Sequence, residues 1–253
     1  VKKSITNNKL YIVLAIIFWL MVWNIAAIVI DKPLYLPTLP ATLKALGLLM
    51  TKHDFWLSIA FTLVRVITAL LLSIVLGIGL AYSASKSKIV FYIMSPFVST
   101  MKSIPIISII ILALLWLGTG IVPVFICVLL CFPIVYTNVL EGINNVDYKL
   151  LEMAKIYDIN RRSIFWNITF PSIKPYLFSA IMICVGLSWK SVVTAEVISA
   201  HHYSLGYNVY KTKLYLETPE LFALTLVVVA FSLAIEFAVK KCFEQSACSK
   251  KRR

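Results

Sequence analysis

Long apolar runs, each near the length that crosses a bilayer, recur along this chain and leave few folds open. Six can be drawn, over 10–30, 56–84, 89–116, 121–141, 175–198 and 219–240. Inside hydrocarbon a backbone must satisfy its own polar groups, so apolar spans of this length are helices. Composition agrees: of 253 residues 60% are hydrophobic and 14% charged, whereas soluble domains carry about 25% charge. The expected fold class is an all-α polytopic membrane protein with about six transmembrane helices. The third run holds Pro96 and Pro105, and each deletes a backbone donor, so a kink or a broken helix is expected there.

A net charge of +13 raises the question of nucleic acid, and the positions of the charges answer it. Lys2, Lys3, Lys9, Lys86, Lys88, Lys149, Lys155, Arg161, Arg162 and Lys174 precede the first span or lie in the second and fourth connections. Lys240, Lys241, Lys250, Lys251, Arg252 and Arg253 follow the last span. The other side holds Lys32, Lys44, Lys52, Lys211 and Lys213, so the balance is sixteen against five. Basic residues gather in the cytoplasm, which puts both termini there and leaves no need for nucleic acid.

The first apolar run exceeds the 7–15 residues of a signal peptide core and has no clear small-x-small site after it, so it is expected to be an uncleaved anchor. Cys127, Cys131 and Cys184 lie in spans and Cys242 and Cys248 in the tail, which gives no disulfide framework. No low-complexity tract or linker divides the chain. The expected organisation is an anchor and outer loop over 1–55, a core over 56–241, and a basic tail over 242–253. The outer loop "DKPLYLPTLPATLKAL" is proline-rich, with a short helix expected near Thr42–Met50.

One polar interruption stands out. In "LLEMAKIYDINRRSIFWNITFPSIKP" charges and apolar residues mix for about 25 positions between two spans. Leu150, Met153, Ala154 and Tyr157 share one helical face, opposite Lys149, Glu152 and Lys155. Asp158-Ile159-Asn160 interrupts, and Asn160 is a candidate N-cap for a second short helix from Arg161 to Thr169, closed by Pro171, with Pro175 opening the next span. Such a pair lies on lipid or docks into a partner's groove.

Glu152-Met153-Ala154, Asp158, Ile168 and Phe170-Pro171 keep the spacing of the cytoplasmic EAA loop of bacterial ABC importer permeases, which this segment resembles. Met153 stands for Ala, Phe170 for Leu, and Asp158 for the family's Gly. The likeness continues in "LYLPTLPATLKAL", "TLVRVITALLLSIVLGIGLAY", "MKSIPIISIIILALLWLGTG", "WKSVVTAEVIS" and "SLGYNVY", which are similar to the nitrate/sulfonate/taurine branch. The resemblance implies a type I importer permease fold in which the loop, over 148–172, docks on a cytoplasmic ATPase. Glu152, Met153, Ala154, Asp158, Ile168 and Pro171 are then the docking residues. It implies two ATPase subunits, an extracytoplasmic substrate-binding protein and a second permease copy as partners. The solute would be small, anionic or heteroaromatic: a sulfonate, taurine, nitrate, bicarbonate or a thiamine precursor.

No phosphate-binding Gly-x-x-x-x-Gly-Lys-Ser/Thr loop or catalytic cluster is present, so neither cofactor nor enzymatic activity is expected of this chain. Charges inside spans cost at least ~2.5–3.5 kcal/mol each on insertion scales, which draws notice to Arg65, Lys102, Lys190, Glu196 and Glu236. Arg65, Lys102, Lys190 and Glu196, with Trp189 as a stacking surface, are candidates for a path taken by an anionic solute. The other readings are structural ion pairs, for which the spacing of Lys190 from Glu196 is not ideal on one helix though contacts between helices stay open; Glu196 and Glu236 reaching water or headgroups; and Trp189 and Trp116 anchoring at interfaces. His201 and His202 are expected to be exposed. An ion-gradient-driven transporter is the alternative function, but it would need intramembrane ion ligands and often paired repeats, and neither is evident.

Overall fold

The computed structural model describes the backbone of residues 5–250 and the side chains of residue 11 and residues 13–241. The charge count's Lys2, Lys3, Lys9, Lys250, Lys251, Arg252 and Arg253 lie outside the described side chains, as do Cys242 and Cys248.

Among the described residues the secondary structure is helical throughout: α1 (Ile5–Ile30), α2 (Leu39–Met50), α3 (His53–Lys86), α4 (Lys88–Ser103), α5 (Ile106–Leu117), α6 (Val122–Asn144), α7 (Tyr148–Ile156), α8 (Arg161–Ile164), α9 (Phe170–Ser199), α10 (Leu205–Leu214) and α11 (Thr218–Lys250). Among the described residues five stretches are long and apolar enough to cross a membrane, and α4 with α5 makes a sixth when the bent pair is counted as one span. That sixth is broken by 106°. The cause is local: Pro105 has no N–H to donate, and its ring forces Ile104 into an extended conformation with ψ 133. Pro96, by contrast, stays inside α4.

The core is made by α3, α6 and α9. Along α3 a stripe of Ser58, Thr62, Val66, Ala69, Ser73, Gly77, Ala81 and Ala84 is buried, at spacings of three and four. Small residues let backbones approach, which is what drives helix association where lipid removes the hydrophobic incentive. Gly77 is the tightest point, since a methyl there would sit 2.6 Å from Val135 Cγ1 of α6. On the α6–α9 contact, Cys127, Cys131 and Cys184 are fully buried, and Cys184 Sγ donates to the Cys131 carbonyl at 3.6 Å. They are small filler in a close helix pair.

The expected pair of short helices is only half present. The helix begun at Arg161 does not end at Pro171. It widens into a π-helical turn over Phe165–Thr169, where the Phe170 N–H reaches the Phe165 carbonyl, and runs on as α9 through Pro171 and Pro175. A turn wider by one residue accommodates the missing donor and the bulk of Pro171. Residues Arg161–Ser199 thus form one continuous 39-residue span, about 58 Å long at 1.5 Å per residue.

Candidate functional site

Two regions carry the chemistry, at opposite ends of the bundle. The first is the 145–169 connection, held beside the carboxyl end of α3 by an edge-on contact of Tyr82 with Phe165 (6.3 Å between centroids). Asp147 caps α7, its carboxylate accepting from the Lys149 N–H at 2.9 Å. At the other end the Asp158 N–H donates to Lys155 O (3.2 Å) and the Ile159 N–H to Ala154 O (2.9 Å), with Asp158 at φ +49. This is a Schellman ending, whose left-handed residue is usually glycine. Asp158 therefore holds the left-handed position, at the cost a Cβ brings there. Asn160 caps α8 as the sequence predicts, accepting from the Ser163 N–H at 2.7 Å.

Most of the apolar face of α7 is left open by the described residues. Ala154 is 2% exposed and packs inward, but Leu150, Tyr157 and Ile159 stay open, Met153 is 53% exposed and Ile156 79%. Glu152 and Lys155 are exposed beside them, Ile168 is half-buried, and Pro171 is exposed. The result is a rigid, capped helix that offers an apolar ridge with a carboxylate at its flank.

The second region is near the start of α3 and the end of α9. Of the readings open to Glu196, reaching water or headgroups does not hold and structural pairing does: its side chain is fully buried against Arg65. Oε1 accepts from Arg65 Nη1 at 2.8 Å, Oε2 accepts from the Gly206 N–H at 3.2 Å, and the Thr62 hydroxyl lies 3.0 and 2.9 Å from the two oxygens. Thr62 Oγ1 also accepts from the Leu205 N–H at 3.1 Å. The carboxylate is held because a buried charge needs both a counter-charge and hydrogen bonds, and here the orphan N–H groups at the start of α10 supply the latter. Gly206 is required by closeness: a methyl would overlap Glu196 Cβ and come within 2.5 Å of the Val197 nitrogen.

The remaining candidates separate. Lys102, at the α4 end beside the break, and Lys190, on α9, are exposed and have no ion-pair partner among the described residues. Trp189 is fully buried and stacks on Phe231 at 5.7 Å, so it is not an interface anchor in the single chain. Trp116 and Glu236 are exposed. His202 is exposed, while His201 is half-buried and shares a 3.2 Å hydrogen bond with the Thr119 hydroxyl. Burial first, then the charges of Arg65 and His202, hold the His201 imidazole below its ordinary pKa. No cluster of three metal-ligating side chains exists among the described residues.

Thr62, Gly206 and the cap Ser204 were not foreseen. Thr62 precedes Arg65 by three residues, hence on the same face of α3. Ser204 followed by Tyr207 is an N-cap spacing, and its hydroxyl indeed accepts from the Tyr207 N–H at 3.0 Å. Beyond these residues lies a polar cleft of about 790 Å³ between α10 and the starts of α3 and α11, lined among others by Lys52, Asp54, Tyr207, Asn208, Lys211 and Glu220.

Known proteins place this architecture. The sequence profile of the family described as "Binding-protein-dependent transport system inner membrane component" matches residues 73–241. The taurine transport system permease protein TauC of Escherichia coli (strain K12) is 24% identical over 224 residues, 86% of this chain and 81% of that protein. The nitrate import permease protein NrtB of Leptolyngbya laminosa is 24% identical over 153 residues, 57% of this chain and 52% of that protein. Among solved structures, the crystal structure of an amino acid ABC transporter with histidines aligns with a TM-score of 0.59 at 16% identity, covering 75% of this chain and 92% of that one, a likeness of fold. This chain accordingly belongs to the binding-protein-dependent transport system inner membrane component family: it is the multi-pass inner-membrane permease subunit of an ABC importer, a transport subunit rather than an enzyme, which works with a partner ATPase and a substrate-binding protein.

Proposed function

We propose that α7 is the docking peg for the ATPase, that two copies of this permease pair, and that the importer carries a small oxyanion of the sulfonate or nitrate kind. The observation that carries the docking reading is the open apolar ridge of Leu150, Met153 and Ile156, flanked by Glu152 and fixed by the Asp147 cap and the Asp158 turn. An amphipathic helix with an unfilled face suits a partner's groove. Met153, Glu152 and Asp158 belong to the peg, Ala154 seats it, and Ile168 and Pro171 join it to α9.

The charge balance supports cytoplasmic termini, which puts the 145–169 connection on the ATPase side and the α10 cleft outside. It also supports the division into an anchor and outer loop (1–55), a core (56–241) and a tail (242–253). The oxyanion reading rests on the relatives named for taurine and nitrate and on Lys102 and Lys190, two exposed cations without an ion-pair partner among the described residues. Arg65, Glu196 and Trp189, candidates for the same path, have partners within the chain, so in this reading they support it from behind.

A tagged permease purified with its neighbours tests the assembly, and the captured binding protein tests the solute. The expected particle has two permease copies and two ATPase subunits by native mass. The binding protein's melting temperature should rise with taurine, an alkanesulfonate or nitrate. A one-to-one particle, or a binding protein stabilised only by neutral or cationic solutes, contradicts the proposal.

A further inference from the structure

The two ends of the molecule are joined by one uninterrupted element. The helix that begins at the Asn160 cap, next to the α7 peg, ends at Ser199, three residues beyond Glu196. At that far end α10 is attached to it closely. The Gly206 backbone lies against Glu196 and Val197 without room for a methyl group, and Glu196 and Thr62 hold the first N–H groups of α10. Arg65 and Thr62 bring α3 into the same cluster. On its other side α10 forms one wall of the outer cleft through Tyr207, Asn208 and Lys211, while Lys52, Asp54 and Glu220 form the facing wall. An element that moves α9 lengthwise or tilts it must therefore move α10, and with it the width of the cleft.

We propose that Glu196, Arg65 and Thr62 are positioning residues for transport, a clasp that fixes α10 to the outer end of α9 so that a displacement of the α7 peg reaches the outer cleft. The inference rests on the docking reading above. Packed elements shift between discrete arrangements and do not deform continuously, and a polar clasp without slack makes α9 and α10 one such unit.

Asn208→Cys on the cleft wall and Lys155→Cys on the peg are each introduced singly, with Cys242 and Cys248 replaced by serine and the three buried cysteines kept. The permease–ATPase complex is placed in lipid nanodiscs, and maleimide labelling rates are compared without nucleotide and after trapping with ATP and vanadate. With the clasp intact, the rate at Asn208→Cys should change by about tenfold on trapping. In Glu196→Gln and Thr62→Val backgrounds that change should shrink to less than about twofold, while Lys155→Cys keeps its nucleotide response and the ATPase stays bound. Thr62→Ser, which retains the hydroxyl, should restore it. A nucleotide response at Asn208→Cys that survives in Glu196→Gln and Thr62→Val overturns the proposal, as does its absence when the clasp is intact. Clasp variants that all fail to assemble reduce it to a folding element and overturn it too. Loss of the docking reading looks different: the ATPase then fails to co-purify with the otherwise unaltered chain, or Lys155→Cys ignores nucleotide.

Discussion

Arg65 and Glu196, 131 positions apart in the chain, meet at 2.8 Å with the carboxylate fully buried and the guanidinium side chain 14% exposed. Removing Arg65 strands the fully buried carboxylate, which typically costs about 3–5 kcal/mol, whereas removing the carboxylate leaves a guanidinium that is still partly open to solvent. Arg65→Met should therefore lower the yield and thermal stability of the purified permease sharply. Adding Glu196→Gln should recover much of the loss, because the amide still accepts from Gly206 N–H and needs no counter-charge. Equal stability of the single and double variants would contradict the pairing.

Gly206→Ala should also destabilise the permease, by less than the charge change, although it alters only one methyl group. The added carbon has backbone on two sides, Glu196 and Val197, and neither can rotate away. Overpacking of this kind costs about 1–3 kcal/mol, and the expected sign is faster proteolysis of the α9–α10 loop in the folded protein. Gly47→Ala, inside α2 with nothing within 4 Å, is the control and should not destabilise, since alanine favours the helix.

Asp158 occupies a left-handed position, so Asp158→Gly should leave docking intact and raise stability by up to about 1 kcal/mol. Asp158→Val, β-branched at the same φ, should loosen the turn and weaken ATPase retention. Thermal unfolding and co-purification check both. A valine variant that matches the natural residue in both assays would show that the turn does not shape the peg.

Charge without a partner is expensive in a span, which makes Lys102 and Lys190 informative. Lys102→Met and Lys190→Met should each raise the solute concentration needed for half-maximal uptake while leaving assembly unchanged. Impaired assembly with no change in that concentration would assign them a structural role.

What the sequence made legible was what repeats along it. Apolar runs reported the spans, because hydropathy acts residue by residue, and Pro105 announced the break in 89–116. The Asn160 cap and the interruption at Asp158-Ile159-Asn160 were local signals too. The rest depended on contacts between distant segments. Glu196 looked like a residue near a span end with a route to water, and only the packing of α3 against α9 brings Arg65 and Thr62 to it. Gly206 carries no signal of its own beyond being glycine, since its role lies in the backbone it touches. Pro171 misled for a related reason: proline reads as a stop, whereas a wider turn absorbs it and the helix continues.

The docking role of α7 is most directly tested at Glu152. Glu152→Lys changes an exposed charge on a helix whose seat, Ala154, is untouched, so the permease should insert and fold as before. Placing like charges at a desolvated contact costs several kcal/mol, and each 1.4 kcal/mol is about tenfold in affinity. The measurement is ATPase retained per permease on purification in detergent, and the account predicts a loss of about a hundredfold in affinity with no change in permease yield. Full retention of the ATPase by the Glu152→Lys permease would contradict it, and would leave the 145–169 connection an interfacial turn.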